Sequence, residues 1–163
     1  MELTVIEAGT TDAETDARVW VSKVLERYAR AEQAIGSLCI KLNLPIANGL
    51  LTSLSTLQER LIGSGDRRCR ALNARIERWR SNRPYRHLLA HGSLELLFDA
   101  TGSVALVTRH LPRDADDVTP DRLWSVAERE ELLRQVTNHG RSICDHARNI
   151  MADPQTLRRL RAS

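Results

Sequence analysis

From Ala17 to Leu42, the residues Ala17, Trp20, Val21, Val24, Leu25, Tyr28, Ala31, Ile35, Leu38, Cys39 and Leu42 recur at helical spacing with charges between them. The pattern requires a long amphipathic helix, starting near Asp12 and stopping before Pro45, with residues 1–10 as a loose lead-in. An aromatic fraction of 4% leaves too few rings for a sandwich or barrel built on aromatic strands. The fold class expected is mainly α, a bundle of four to five helices.

Leu44-Pro45-Ile46-Ala47-Asn48-Gly49 is turn chemistry. A second helix follows from about Thr52 to Ile62, capped by Thr52 or Ser53 and ended by Gly63-Ser64-Gly65. Asp66 caps a third helix whose inner face carries Cys69, Leu72, Ile76 and Trp79. Pro84 suits the first turn of a short fourth helix, and Gly92 suits its end. The period then changes: Leu94–Phe98 and Ser103–Thr108 are short β-type runs joined by Asp99-Ala100-Thr101-Gly102, a hairpin inserted before the last long helix. A two-stranded hairpin is marginal alone, so it should lie on the helices or pair with a second subunit. Leu111–Val118 is a polar, acidic connection. Thr119 as cap and Pro120 as first residue launch the final helix to about Met151, and residues 152–163 form a basic tail. Trp20, Trp79 and Trp124 fall on apolar stripes and read as core.

At 163 residues the chain fits a single domain able to bury a core without disulfides or metals. Cys39, Cys69 and Cys144 are odd in number and widely spaced, and read as buried thiols in a reducing compartment. The N-terminus lacks a signal pattern and no apolar run is long enough to span a membrane, so the expected location is the cytoplasm, with no membrane partner. His139, Cys144, Asp145 and His146 do not make a metal site, since the two histidines are seven apart and no second cluster supplies matching ligands.

The net charge is only +3, yet the basic residues are almost all arginine, Lys23 and Lys41 being the only lysines. GC-rich codon usage accounts for that ratio equally well; the informative part is position. Arg67, Arg68, Arg70, Arg75, Arg78, Arg80, Arg83 and Arg86 form one run opposed only by Asp66 and Glu77. The run is either a solvated helix face or a surface for a nucleic-acid backbone.

That run ends in Arg86-His87-Leu88-Leu89-Ala90-His91-Gly92. Residues four apart share a helix face, so His87 and His91 point the same way, while Arg86 joins them through its length or by lying at a frayed helix start. An imidazole near neutrality can take a proton from a 2′-hydroxyl or give one to a leaving oxygen, and an arginine can hold phosphoryl oxygens as charge builds. That is sufficient chemistry for RNA cleavage without a metal or other cofactor. In the competing structural reading, His87 and His91 cap the helix end or bond buried carbonyls, and Arg86 pairs with Glu95 or Asp99.

The seven residues resemble the signature of the HEPN superfamily (higher eukaryotes and prokaryotes nucleotide-binding domains): Arg, a polar residue, a few variable residues, then His, often followed by Gly. Helices before the motif, an insert after it and a closing helix are similar in order. The resemblance implies a small helical bundle that homodimerises so that two motifs face a shared cleft. It also implies a metal-independent endoribonuclease leaving a 2′,3′-cyclic phosphate, often a toxin or antiviral defence effector with an antitoxin or defence-system partner. By position, Arg86 would bind the scissile phosphate, His91 would transfer a proton and His87 would orient or assist; Arg80, Arg83 and Tyr85 flank them as substrate-binding residues. Ser93 stands where the branch controlled by nucleotidyl transfer has its tyrosine, which removes that form of control. Two alternatives accompany this reading: a non-catalytic interaction or regulatory module of the same fold, and a nucleic-acid-binding protein using the Arg67 to Arg86 face.

Overall fold

Helix α1 runs from Thr4 to Lys41 in the computed structural model, which describes residues 4–46, 50–98, 104–110 and 120–162, the side chains of residues 4–11, 51 and 52 excepted. It is followed by α2 (Leu50–Gly63), α3 (Arg67–Ser81), α4 (Arg83–His91), β1 (Ser93–Phe98), β2 (Val104–Arg109), β3 (Arg122–Trp124), α5 (Val126–Met151) and α6 (Pro154–Ala162). The architecture is thus mainly α, with six helices among the described residues and a small antiparallel sheet before the last long helix. The expected hairpin turn at 99–102, the connection 111–118 and Thr119 lie outside the described residues. No described helix is long and apolar enough to cross a membrane.

Two compact units emerge, each assembled from separate stretches of chain: residues 1–26 with 83–135, and residues 27–82 with 136–163. Helices α1 and α5 contribute to both. In the first unit Trp20, Val24, Leu88, Leu89, Leu106, Trp124 and Leu132 are buried. The sheet order is β1-β2-β3, with Ser93 opposite Arg109 and Leu106 opposite Trp124. The Trp124 ring packs 5.3 Å from that of Trp20, and its Nε1–H donates to the buried Thr108 hydroxyl at 2.7 Å, so a large ring is buried without stranding its polar edge. Trp20 does likewise, donating to the Arg129 carbonyl at 2.9 Å.

The second unit buries Tyr28, Ile35 and Leu38 of α1, Leu54, Leu57 and Leu61 of α2, Leu72, Ile76 and Trp79 of α3, and Ile143 and Ile150 of α5. Asp66 caps α3 as expected, its carboxylate accepting the Arg68 amide at 2.7 Å. Trp20, Trp79 and Trp124 are all core. Cys39 and Cys69 are buried free thiols; Cys144 is only half-buried and donates weakly to the Arg30 carbonyl at 3.6 Å.

Several boundaries differ from expectation, each for a local reason. The lead-in over residues 1–10 is helical from Thr4, since no proline interrupts it and extending a formed helix adds one hydrogen bond per residue fixed. Helix α2 starts at Leu50, so neither Thr52 nor Ser53 is its cap; the Ser53 hydroxyl instead donates to the Pro45 carbonyl. Helix α5 starts at Val126 rather than Pro120, because Ser125 and Glu128 form a capping box. The Ser125 hydroxyl accepts the Glu128 amide at 3.2 Å, and the Glu128 carboxylate accepts the Ser125 amide at 2.9 Å. The stretch freed ahead of it supplies β3. The basic tail over 152–163 is the helix α6, with Thr156 and Leu160 buried. Asp153 starts it by accepting the Gln155 amide at 2.9 Å, and Arg68 reaches the other oxygen of that carboxylate at 2.6 Å.

Candidate active site

Helix α4 begins one residue after α3 ends, the junction being Asn82, whose amide caps α3 and whose carbonyl accepts the Tyr28 hydroxyl at 2.6 Å. Pro84 occupies the first turn, where no amide hydrogen is needed. Leu88 and Leu89 give the helix its buried face. With that face fixed, His87 and His91 lie together elsewhere on the helix, their rings 4.7 Å apart and tilted by 48°. His91 is exposed at the last helical position; Arg86 and His87 are half-buried. Arg86 is five residues from His91, about 140° around an ideal helix.

Gly92 closes the helix, donating to the Leu88 carbonyl at 2.8 Å. A Cβ there would stand 2.6 Å from both the Arg109 and the Leu88 carbonyl oxygens and 2.9 Å from a Thr108 methyl carbon. The end of β2 therefore presses against the end of α4 in a way only glycine permits. This approach brings in a residue the motif does not contain: the His110 ring lies 6.3 Å from that of His87. The His110 amide donates to the Asp121 carboxylate at 2.9 Å, which fixes the chain at that point. His110 has no motif spacing to announce it; the available signals are its place directly after a strand and the need for glycine at 92.

Glu95, considered above as a partner for Arg86, is 2.7 Å from the Arg109 Nε, and Asp121 accepts a second bond from Arg109 at 2.9 Å. The two carboxylates, Glu95 foremost, hold the Arg109 guanidinium firmly in its charged form. Asp99, the other carboxylate considered, lies outside the described residues.

The three flanking residues expected to bind substrate fare differently. Tyr85 is half-buried and packs edge-on against Trp124 at 5.4 Å, with the Arg122 guanidinium over its ring at 4.7 Å. Arg80 donates to the Gln58 side chain at 2.7 Å, within a network that continues from Gln58 to Asn73 at 3.0 Å. Arg83 is half-buried at the start of α4. Farther back on α3, Arg68 is held by Asp66 and Asp153, and Arg70 by the Gly65 carbonyl at 2.8 Å, so part of the arginine run serves the fold.

Chemically, the helix end offers one solvent-exposed imidazole, a second in ring contact with it, a third nearby and a guanidinium one residue before the pair. Such a set can accept and donate protons beside a bound anion. Among the described residues no group of three or more His, Cys, Asp or Glu side chains is placed to hold a metal ion. Comparisons of the chain with models of protein families, with curated proteins and with solved structures find no match.

Proposed function

We propose that the chain is a metal-independent endoribonuclease of HEPN type that works through Arg86, His87 and His91. In the reaction, the 2′-oxygen of a ribose attacks the adjacent phosphorus and the bond to the 5′-oxygen breaks. One imidazole takes the 2′-proton while a protonated imidazole supplies one to the leaving oxygen. The products are a 2′,3′-cyclic phosphate and a 5′-hydroxyl. Arg86 holds the phosphoryl oxygens as negative charge builds. The partners under this reading are RNA, a second copy of the chain and, for a toxin or antiviral defence effector, a neutralising or defence-system protein in the cytoplasm.

One observation carries the proposal: the two motif imidazoles are in ring contact on one side of α4, with His91 exposed to solvent. A helix cap or a core hydrogen bond requires neither the pairing nor the exposure.

The test is incubation of purified protein with labelled single-stranded RNA in the presence of a strong chelator, followed by analysis of the new termini. Cleavage with cyclic-phosphate ends, abolished by His91→Ala in a protein with unchanged circular dichroism, is expected. Full activity in His91→Ala would overturn the mechanism. Intact RNA with the wild type would favour a non-catalytic module, and salt-sensitive binding indifferent to both motif histidines would favour recognition by the α3 arginines.

A further inference from the structure

In the unit formed by residues 27–82 and 136–163, α1 and α5 border a cleft of about 490 Å³. Its floor depends on Gly140, where a Cβ would stand 3.3 Å from the Arg27 carbonyl oxygen. The absence of a side chain there lets the two backbones approach closely. The lining residues of α1 extend from Arg27 to Ser37, roughly 15 Å at 1.5 Å rise per residue, so the cleft is elongated. Its volume falls within the range of ordinary small-molecule sites.

The charge of this cleft is one-sided. Arg27 and Arg30 come from α1, Arg141 and Arg148 from α5, and Asp145 is the only carboxylate among the lining residues. Asp145 is engaged by Arg148 at 3.3 Å. Arg27 and Arg141 have no ion-pair partner among the described residues, and the Arg27 Nε is buried without a hydrogen-bond partner. Two guanidiniums, Arg27 and Arg141, held at a concave site with no carboxylate of their own favour an anion that joins them. The planar guanidinium matches phosphate oxygens through paired hydrogen bonds, which a set of such groups along a slot can repeat.

We infer that the α1/α5 cleft binds linked phosphates, as a free polyphosphate group or as the backbone of an RNA strand, through Arg27, Arg30, Arg141 and Arg148. The site is built from residues other than the histidine motif and stands whether or not that motif cleaves RNA.

Calorimetric titration of the full chain with inorganic tripolyphosphate, and anisotropy of a labelled RNA oligonucleotide at low salt, test this assignment. Arg141→Glu alters an exposed residue and is expected to weaken tripolyphosphate binding on the order of tenfold or more, as is Arg27→Gln; Arg18→Ala, which is not among the lining residues, should bind as the wild type does. If RNA affinity falls in parallel and tripolyphosphate displaces the RNA, the cleft takes an RNA backbone. If only tripolyphosphate binding falls, its ligand is a free phosphate compound. Equal binding by wild type, Arg27→Gln and Arg141→Glu, or no binding of either probe to the wild type, overturns the inference.

Discussion

A Cβ on Gly92 would stand 2.6 Å from the carbonyl oxygen of Arg109, so the absence of a side chain at one residue sets how closely the end of β2 approaches the end of α4. Gly92→Ala forces backbone to move. It should cost about 1–3 kcal/mol of stability, read as a lower urea midpoint, the range usual for overpacking. It should also separate His110 from His87, detectable as changed histidine ring resonances while α3 signals stay in place.

On the proposed mechanism the three histidines are unequal. His91→Ala and His87→Ala remove the motif pair, and each should slow single-turnover RNA cleavage roughly 10²–10⁴-fold, the usual contribution of a positioned acid or base. His110→Ala, in ring contact with His87 but 6.3 Å away, should slow it less while leaving the product termini the same. An equal loss for all three would place His110 among the proton-transfer groups.

Acid should loosen α6 before the sheet. The Arg68 guanidinium holds the Asp153 carboxyl down at about 2 and, as the main cause, lowers that of Asp66 as well. Both groups bind protons more weakly folded than unfolded, so their stabilising effect is complete above the ordinary Asp range, near pH 4, and is lost as the pH falls toward 2. Hydrogen exchange of the α6 amides followed from pH 5 to pH 2 should show that loss, and Asp153→Asn should flatten its pH dependence.

The thiols should react in order of access. Burial raises the Cys39 thiol to about 11, and burial also raises Cys69 and, in its half-buried position, Cys144. Iodoacetamide at pH 8 should modify Cys144 slowly in the folded protein and leave Cys39 and Cys69 untouched until denaturant is added, as peptide mass mapping would register.

What could be read from the chain was local. Asp66 two residues before the amide it caps, Pro84 in a first turn, Gly92 at a helix end and three tryptophans on apolar stripes are decided by neighbours in sequence. The histidine pair also follows from four-residue spacing. The strand Arg122–Trp124 has too few residues to show a period and exists through pairing with β2. Helix α6 looked like a tail because arginines dominate it; what docks it is Arg68, 85 residues away in sequence from Asp153. His110 joins the pair through a close approach that no spacing encodes, and the Ser125–Glu128 capping box, a local signal, starts α5 in place of the Thr119-Pro120 pair.

The placement of the tryptophans gives each unit its own optical reporter. Trp20 and Trp124 lie in the unit that carries His87, His91 and His110, whereas Trp79 lies in the one that carries the arginine cleft. Emission from a Trp79→Phe protein would report the first alone, and emission from a Trp20→Phe/Trp124→Phe protein the second. Coincident melting curves would mean one cooperative transition, and displaced curves would give the order in which the units come apart.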